Sequence, residues 1–161
     1  MAEKRSIRPE AAADRLAIRG AALALLARRD FLTAELGARL EARGYEPAAT
    51  AEVLTALLEE HLLDDGRFAE HYVASRAGRG QGPVRIAAEL SGLGAPRELI
   101  ETALAGGPDW RSLAREVRRR RFGSAPPGSW AEKARQARFL QYRGFSSDHI
   151  RSATGADLDP D

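Results

Sequence analysis

Three stretches of the chain and three scattered histidines carry residue types that could do chemistry. Asp64 and Asp65 stand side by side in Asp-Asp-Gly-Arg-Phe, and paired carboxylates can divide general acid and general base work if they converge on a substrate. Residues 76–85 read Arg-Ala-Gly-Arg-Gly-Gln-Gly-Pro-Val-Arg, and a glycine-rich loop can cradle phosphate with its amides. His61, His71 and His149 are candidate metal ligands. The run Arg-Glu-Val-Arg-Arg-Arg-Arg-Phe-Gly, 115–123, is the densest cationic cluster, suited to phosphates or to an acidic partner surface.

Most of these signals weaken in context. Adjacent aspartates at a helix start ordinarily accept orphan amides and complement the helix dipole. The glycine loop lacks the Gly-Lys-Ser/Thr ending of a P-loop and follows a helical pattern rather than a strand, which a dinucleotide fingerprint requires. It reads as a flexible linker ending in Pro83 at a first helical position. A second reading gives Arg76, Arg79 and Arg85 to an anionic surface. No two histidines share a helix face at ligand spacing and the chain has no cysteine, so no metal site is expected. His71, one turn after Arg67, is expected to face solvent. No serine sits in a Gly-x-Ser-x-Gly elbow. No catalytic residue and no cofactor are expected, and the protein is read as a non-enzyme.

Charge is unevenly spread. The net charge is +2, yet residues 30–65 hold two arginines against nine acids, while residues 109–151 hold eleven basic residues against four acids. The second stretch either is a solvated helical surface or meets an anionic partner. Four consecutive arginines, Arg118, Arg119, Arg120 and Arg121, spread around a helix, so some must face outward. Arg135, Arg138 and Arg143 on the following helix extend the patch. Trp110, Trp130, Phe139, Tyr142 and Phe145 lie among them. Stacking on bases is one use of such rings; anchoring a core is the ordinary one, and is expected here.

The elements that must position these residues are helical throughout. Alanine, leucine, arginine and glutamate dominate and sustained alternation is absent. Glycine and proline breakers set helices near 10–29, 34–43, 48–61, 66–77, 83–92, 97–105, 109–121, 130–143 and 147–153. Ser129 with Glu132 forms a capping box. Leu40, Leu90 and Leu140 are 50 residues apart, as are Gly44, Gly94 and Gly144. A helix stop with glycine in the left-handed conformation, and a core leucine one turn earlier, explains both spacings. The expected fold is all-α: an elongated tandem array of three three-helix modules, 10–60, 65–105 and 109–153, with a disordered tail at 154–161. No apolar run approaches the length of a membrane span, and no secretory signal is read at the start; a cytoplasmic location is expected.

The stretch from Leu62 to Leu90 closely resembles the central motif of the bacterial RecX regulatory proteins. The residues carrying it are Asp64, Asp65, Arg67, Phe68, Ala69, Tyr72, Val73, Arg76, Gly80, Gly82, Pro83, Ile86 and Leu90. The flanks are similar too, so that the resemblance covers about residues 20–153. The chain departs where the family often has lysine in the glycine loop, here Arg79 and Gln81, and a polar pair where Phe31 and Leu32 stand. The resemblance implies tandem three-helix repeats and a regulator that binds RecA filaments on single-stranded DNA. It implies inhibition of filament growth, ATPase, strand exchange and co-protease activity, and so modulation of DNA repair and the SOS response. Arg76, Arg79, Arg85, Arg118, Arg119, Arg120, Arg121, Arg135 and Arg138 are the contact candidates. A monomer that binds single-stranded DNA weakly by itself is expected. A nucleic-acid-binding helical module acting without RecA is the alternative.

Overall fold

The structure, a computed structural model, describes residues 7–156. Within them are a 3-10 turn at Pro9–Ala11 and nine α-helices: α1 (Arg15–Leu26), α2 (Thr33–Ala42), α3 (Pro47–Glu59), α4 (Asp65–Gly78), α5 (Pro83–Gly92), α6 (Arg97–Ala105), α7 (Trp110–Phe122), α8 (Trp130–Arg143) and α9 (Ser147–Thr154). No strand occurs among the described residues, so the chain is an all-α helical repeat protein. The one sizeable boundary difference is α1, expected from residue 10. Asp14 is extended and its side chain accepts from the amides of Leu16 and Ala17. That cap starts the helix at Arg15 and leaves Pro9–Ala11 as a separate turn.

The 50-residue spacing is a repeated helix stop. Gly44, Gly94 and Gly144 have φ of +103°, +92° and +95°, and Leu40, Leu90 and Leu140 are each fully buried. After α2 and α8 the residue past the glycine returns its amide to that leucine's carbonyl, Tyr45 to Leu40 at 3.3 Å and Phe145 to Leu140 at 3.1 Å. This is how a left-handed glycine closes a helix end.

Packing divides the described residues into two compact units, one of 7–68 together with 93–95, the other of 69–92 and 96–156. In the first, α1, α2 and α3 pack mutually around Ile18, Ala22, Leu36, Leu40, Leu54 and Leu57, with Phe31 and Leu63 closing the cluster. Phe31 and Leu32, 3% and 1% exposed, are core residues here. The Arg29 guanidinium lies 3.7 Å from the Phe31 ring centroid. The paired aspartates are both caps, for different helices. Asp64 Oδ1 accepts from the Arg67 amide at 3.0 Å. Asp65 Oδ1 accepts from the amide and hydroxyl of Thr33, at 2.7 and 3.0 Å, across to the start of α2.

In the second unit, α7 and α8 pack on α9 over Ala114, Val117, Ala137, Leu140, Phe145 and Ile150. α5 packs on α6, and Val73, Ile86, Leu90 and Ile100 are buried. The glycine loop is a tight turn rather than a slack linker: the amides of Arg79 and Gln81 both return to the Arg76 carbonyl, each at 3.1 Å. Gly82 then donates to the Arg143 carbonyl and Val84 to the Gly144 carbonyl, each at 2.9 Å. A Cβ on Gly82 would overlap the Gly144 backbone, and one on Gly144 would overlap the Cβ of Arg85. Only glycine at both places allows this approach.

One cap differs in detail from expectation. Ser129 accepts from the Glu132 amide at 3.2 Å, but the Glu132 carboxylate accepts from the Gly128 amide at 2.7 Å, one residue earlier than a capping box would have it. The reciprocal box is instead at α9. There the Ser146 hydroxyl accepts from the His149 amide at 3.3 Å, and His149 Nδ1 accepts from the Ser146 amide at 3.4 Å. Of the expected tail, Thr154 ends α9 with its hydroxyl donating to the Ile150 carbonyl at 2.8 Å, and Ala156 packs against the α7–α9 core. Residues 157–161 lie outside the described residues.

Two stability predictions follow from these helix ends. Gly94→Ala should cost about 1–2 kcal/mol, since the left-handed backbone and the nearby Ala34 methyl both resist a side chain. Gly144→Ala should cost more, about 3 kcal/mol or above, because backbone as well as side chain must move; denaturant titration giving losses near zero would contradict both caps. The second prediction concerns pH. Burial pushes the His149 imidazole below its ordinary pKa, so the unfolded chain binds the proton more readily. The contribution is fully present above about pH 6.5 and is lost as pH falls below it. The thermal midpoint should therefore decline between about pH 8 and pH 5.5. The decline should be smaller in His149→Gln, which keeps an acceptor for the cap without a titrating group. Equal declines in both proteins would contradict this role.

Candidate functional site

Six of the nine candidate arginines fall into three environments, while Arg119, Arg135 and Arg138 are exposed and line none of them. The first is an ion-pair cluster on α4 and α5. Arg85 Nε donates to Glu89 Oε1 at 3.2 Å and Arg76 Nε lies 3.5 Å from Glu89 Oε2. The Tyr72 hydroxyl donates to the same carboxylate at 2.8 Å and accepts from Arg76 at 3.2 Å. Burial raises the Glu89 carboxyl, but the hydrogen bonds from Tyr72 and Arg85 and the charges of both arginines outweigh it and hold the group below the usual carboxylate range. Burial and the adjacent carboxylate push the Tyr72 hydroxyl up. At neutral pH the cluster is two guanidinium groups on one carboxylate, and one positive charge is left over.

Arg118 is the second environment, and it departs from its assignment as a contact. It is 8% exposed. Its guanidinium donates to the Ala125 carbonyl at 3.2 Å, to Gln136 Oε1 at 3.3 Å and to the Gly123 carbonyl at 3.4 Å. A helix turns about 100° per residue, so a run of four arginines sends one inward, and Arg118 is that one. It ties the 123–128 connection to α8, where no partner could touch it.

The third environment is an open groove of about 300 Å³ where the glycine loop meets α7 and α8. Gly78, Gly80 and Val117 line its floor; Arg79, Arg120, Arg121 and Arg143 surround it, with Phe139 in one wall. Arg143 donates to the Arg79 carbonyl at 3.3 Å, which fixes its direction. The Phe139 ring lies 5.8 Å from the Arg121 guanidinium and 5.3 Å from that of Arg143, and meets Phe122 edge-on at 5.3 Å. Arg135 lies over Phe122 at 5.4 Å. Arg120 pairs with Glu116; Arg79, Arg119 and Arg138 are exposed and make no ion pair among the described residues. The acids do not cancel the arginines here, and the groove is a concentrated positive potential.

The structure thus brings Arg79, Arg120 and Arg121 together and adds Arg143. Their meeting depends on the backbone contact between Gly82 and Arg143, 61 positions apart in the chain, which no local pattern announces. Phe139 was legible as a candidate, being one helical turn from Arg143, but spacing alone could not separate wall from core. The expectation that the aromatics are core anchors holds for Phe145, 3% exposed, and fails for Trp130 and Tyr142, 83% and 78% exposed. Trp110 is half-buried, its indole donating to the Leu104 carbonyl at 3.2 Å. His71 is exposed. No group of three or more histidines and acids among the described residues could hold a metal ion, and no helix among them is long and apolar enough to cross a membrane.

Comparison with known proteins agrees with this architecture. Residues 64–104 match the model of the second three-helix domain of RecX, and residues 110–154 that of the third. The regulatory protein RecX of Halorhodospira halophila is 51% identical over 148 residues, covering 91% of this chain and 92% of the relative. That of Chromohalobacter salexigens is 47% identical, covering 82% and 87%. The crystal structure of RecX from Lactobacillus salivarius superposes with a TM-score of 0.77 at 22% identity, covering 87% of this chain and 94% of that one, a likeness of fold. Helices, domain matches and long, closely similar relatives agree, and the chain belongs to the RecX family of regulatory proteins.

Proposed function

We propose that this protein is a non-enzymatic regulator that binds RecA filaments on single-stranded DNA in the cytoplasm and inhibits RecA. Filament growth, ATP hydrolysis, strand exchange and co-protease activity would fall together, and DNA repair and the SOS response would be modulated as a result. In this reading the chain acts as a monomer built of three-helix modules at 10–60, 65–105 and 109–153, and needs no cofactor. The observation that carries it is the arginine groove of the glycine loop, α7 and α8, in a chain whose close relatives are named regulatory proteins. A nucleoprotein filament presents phosphates and acidic side chains, and guanidinium groups serve both with two-pronged hydrogen bonds. The contact set is Arg76, Arg79, Arg85, Arg119, Arg120, Arg121, Arg135 and Arg138, with Arg143 added and Arg118 assigned to structure.

A second reading, direct binding of single-stranded nucleic acid without RecA, draws on the exposed rings of Trp130 and Tyr142. Salt separates the two. Tight binding to bare strand with a steep salt slope favours the second reading. Weak binding that tightens when RecA coats the strand favours the first.

The test is RecA ATP hydrolysis on single-stranded DNA, titrated with the protein below stoichiometry. The native chain should inhibit. Simultaneous reversal of Arg79, Arg120, Arg121 and Arg138 to Glu should weaken inhibition by about tenfold or more; undiminished inhibition would contradict the surface. Arg118→Met should behave differently, lowering stability by about 2 kcal/mol through the carbonyls left unpaired.

A further inference from the structure

We propose that the last turn of α8 holds one nucleotide of a single strand, with Tyr142 stacking on the base and the adjoining arginine groove taking a neighbouring phosphate. This rests on the reading above, in which the basic face meets the strand carried by a RecA filament.

Tyr142 is a large ring kept in water. It is 78% exposed, and its hydroxyl makes no hydrogen bond among the described residues, so neither burial nor hydrogen bonding accounts for a tyrosine at this position. Its surroundings are cationic. The Arg85 guanidinium lies 5.9 Å from the ring centroid, within reach of its π-face. Along α8 the exposed residues Ala131, Arg135, Arg138 and Tyr142 recur at steps of four, three and four, which places them on one helix face. That face offers two cations and ends in a ring.

The next residue completes the site. Arg143 follows Tyr142 on the helix and is turned about 100° from it, into the groove, where its bond to the Arg79 carbonyl fixes it. An outward ring and an inward guanidinium on consecutive residues match a nucleotide, whose flat base and phosphate are joined through one sugar. Arg79 and Arg121 stand on the same groove to share the phosphate charge. The carboxylates of an acidic peptide could satisfy the guanidinium groups but give the ring nothing to stack on. Base–aromatic stacking does not depend on which base is present, so the strand would be held without sequence preference.

The experiment uses fluorescence anisotropy at low salt with two labelled probes, an oligothymidylate and an abasic oligomer of equal length and charge. Tyr142→Ala should bind oligothymidylate roughly tenfold more weakly than the native chain, bind the abasic oligomer equally well, and show an unaltered melting curve because the ring is exposed. Tyr142→Phe should stay within about twofold of native on both probes. Arg143→Glu should weaken both. The proposal is overturned if Tyr142→Ala binds oligothymidylate as the native chain does. It is equally overturned if the native chain favours neither probe or binds neither, or if polyglutamate displaces oligothymidylate at equal charge. RecA ATP hydrolysis measured alongside keeps the two ideas apart. Inhibition that is lost on arginine reversal, beside a silent Tyr142→Ala, removes the stacking site and leaves the filament reading standing. Inhibition that survives the reversal removes the arginine surface, and a native chain that does not inhibit RecA at all removes the filament reading.

Discussion

The amide of Gly82 donates to the carbonyl of Arg143, and the amide of Val84 to that of Gly144, each at 2.9 Å. This clasp joins the amino end of α5 to the carboxyl end of α8. Both helix ends have backbone groups that lack partners within their own helix, so each supplies what the other needs, and the positive end of one dipole meets the negative end of the other. Two such hydrogen bonds contribute about 1 kcal/mol each. Their larger effect is geometric. They bring the Arg79 turn beside α7 and α8, and the groove exists because of that placement. The requirement for glycine at positions 82 and 144 follows from it, since a side chain at either would hold the two backbones apart.

With the turn held there, the basic helix sorts its own arginines. Arg118 points inward and ties down the connection to α8, while Arg119, Arg120 and Arg121 face out. A buried guanidinium is tolerable because two carbonyls and the Gln136 amide oxygen satisfy it. Elsewhere acids restrain the charge. Glu89 serves two arginines on α4 and α5, and in the first unit Arg19 is held by Glu60 in a two-pronged pair at 2.9 and 2.7 Å. At the groove this matching is incomplete: Arg120 pairs with Glu116, but Arg79, Arg121 and Arg143 make no ion pair among the described residues, and cations facing a concavity are available to an anionic partner.

Much of the fold could be read from residue order alone, because local devices end these helices. Pro47, Pro83 and the left-handed glycines at 44, 94 and 144 act within a turn of where they stand. Asp14 is a local device too; its cap overrode the apolar pattern running back toward residue 10. What resisted reading is long-range or rotational. That Asp65 caps α2 instead of its own helix depends on how the chain folds back on itself. Which member of Arg118–Arg121 turns inward depends on the angle of α7 against its neighbours. Trp130 and Tyr142 carry types that usually fill cores, and exposure is settled only by packing. The arginines were visible as candidates, but the groove that unites some of them comes from the clasp.

The most direct measurement is the inhibitory potency of Gly82→Ala against RecA ATP hydrolysis on single-stranded DNA, with helix content followed by far-ultraviolet circular dichroism. Every arginine is retained in this variant and only the approach of two backbones is disturbed. If the clasp builds the working surface, helicity should persist while inhibition drops toward that of the arginine-reversed protein. Native potency in a helical Gly82→Ala protein would contradict the account.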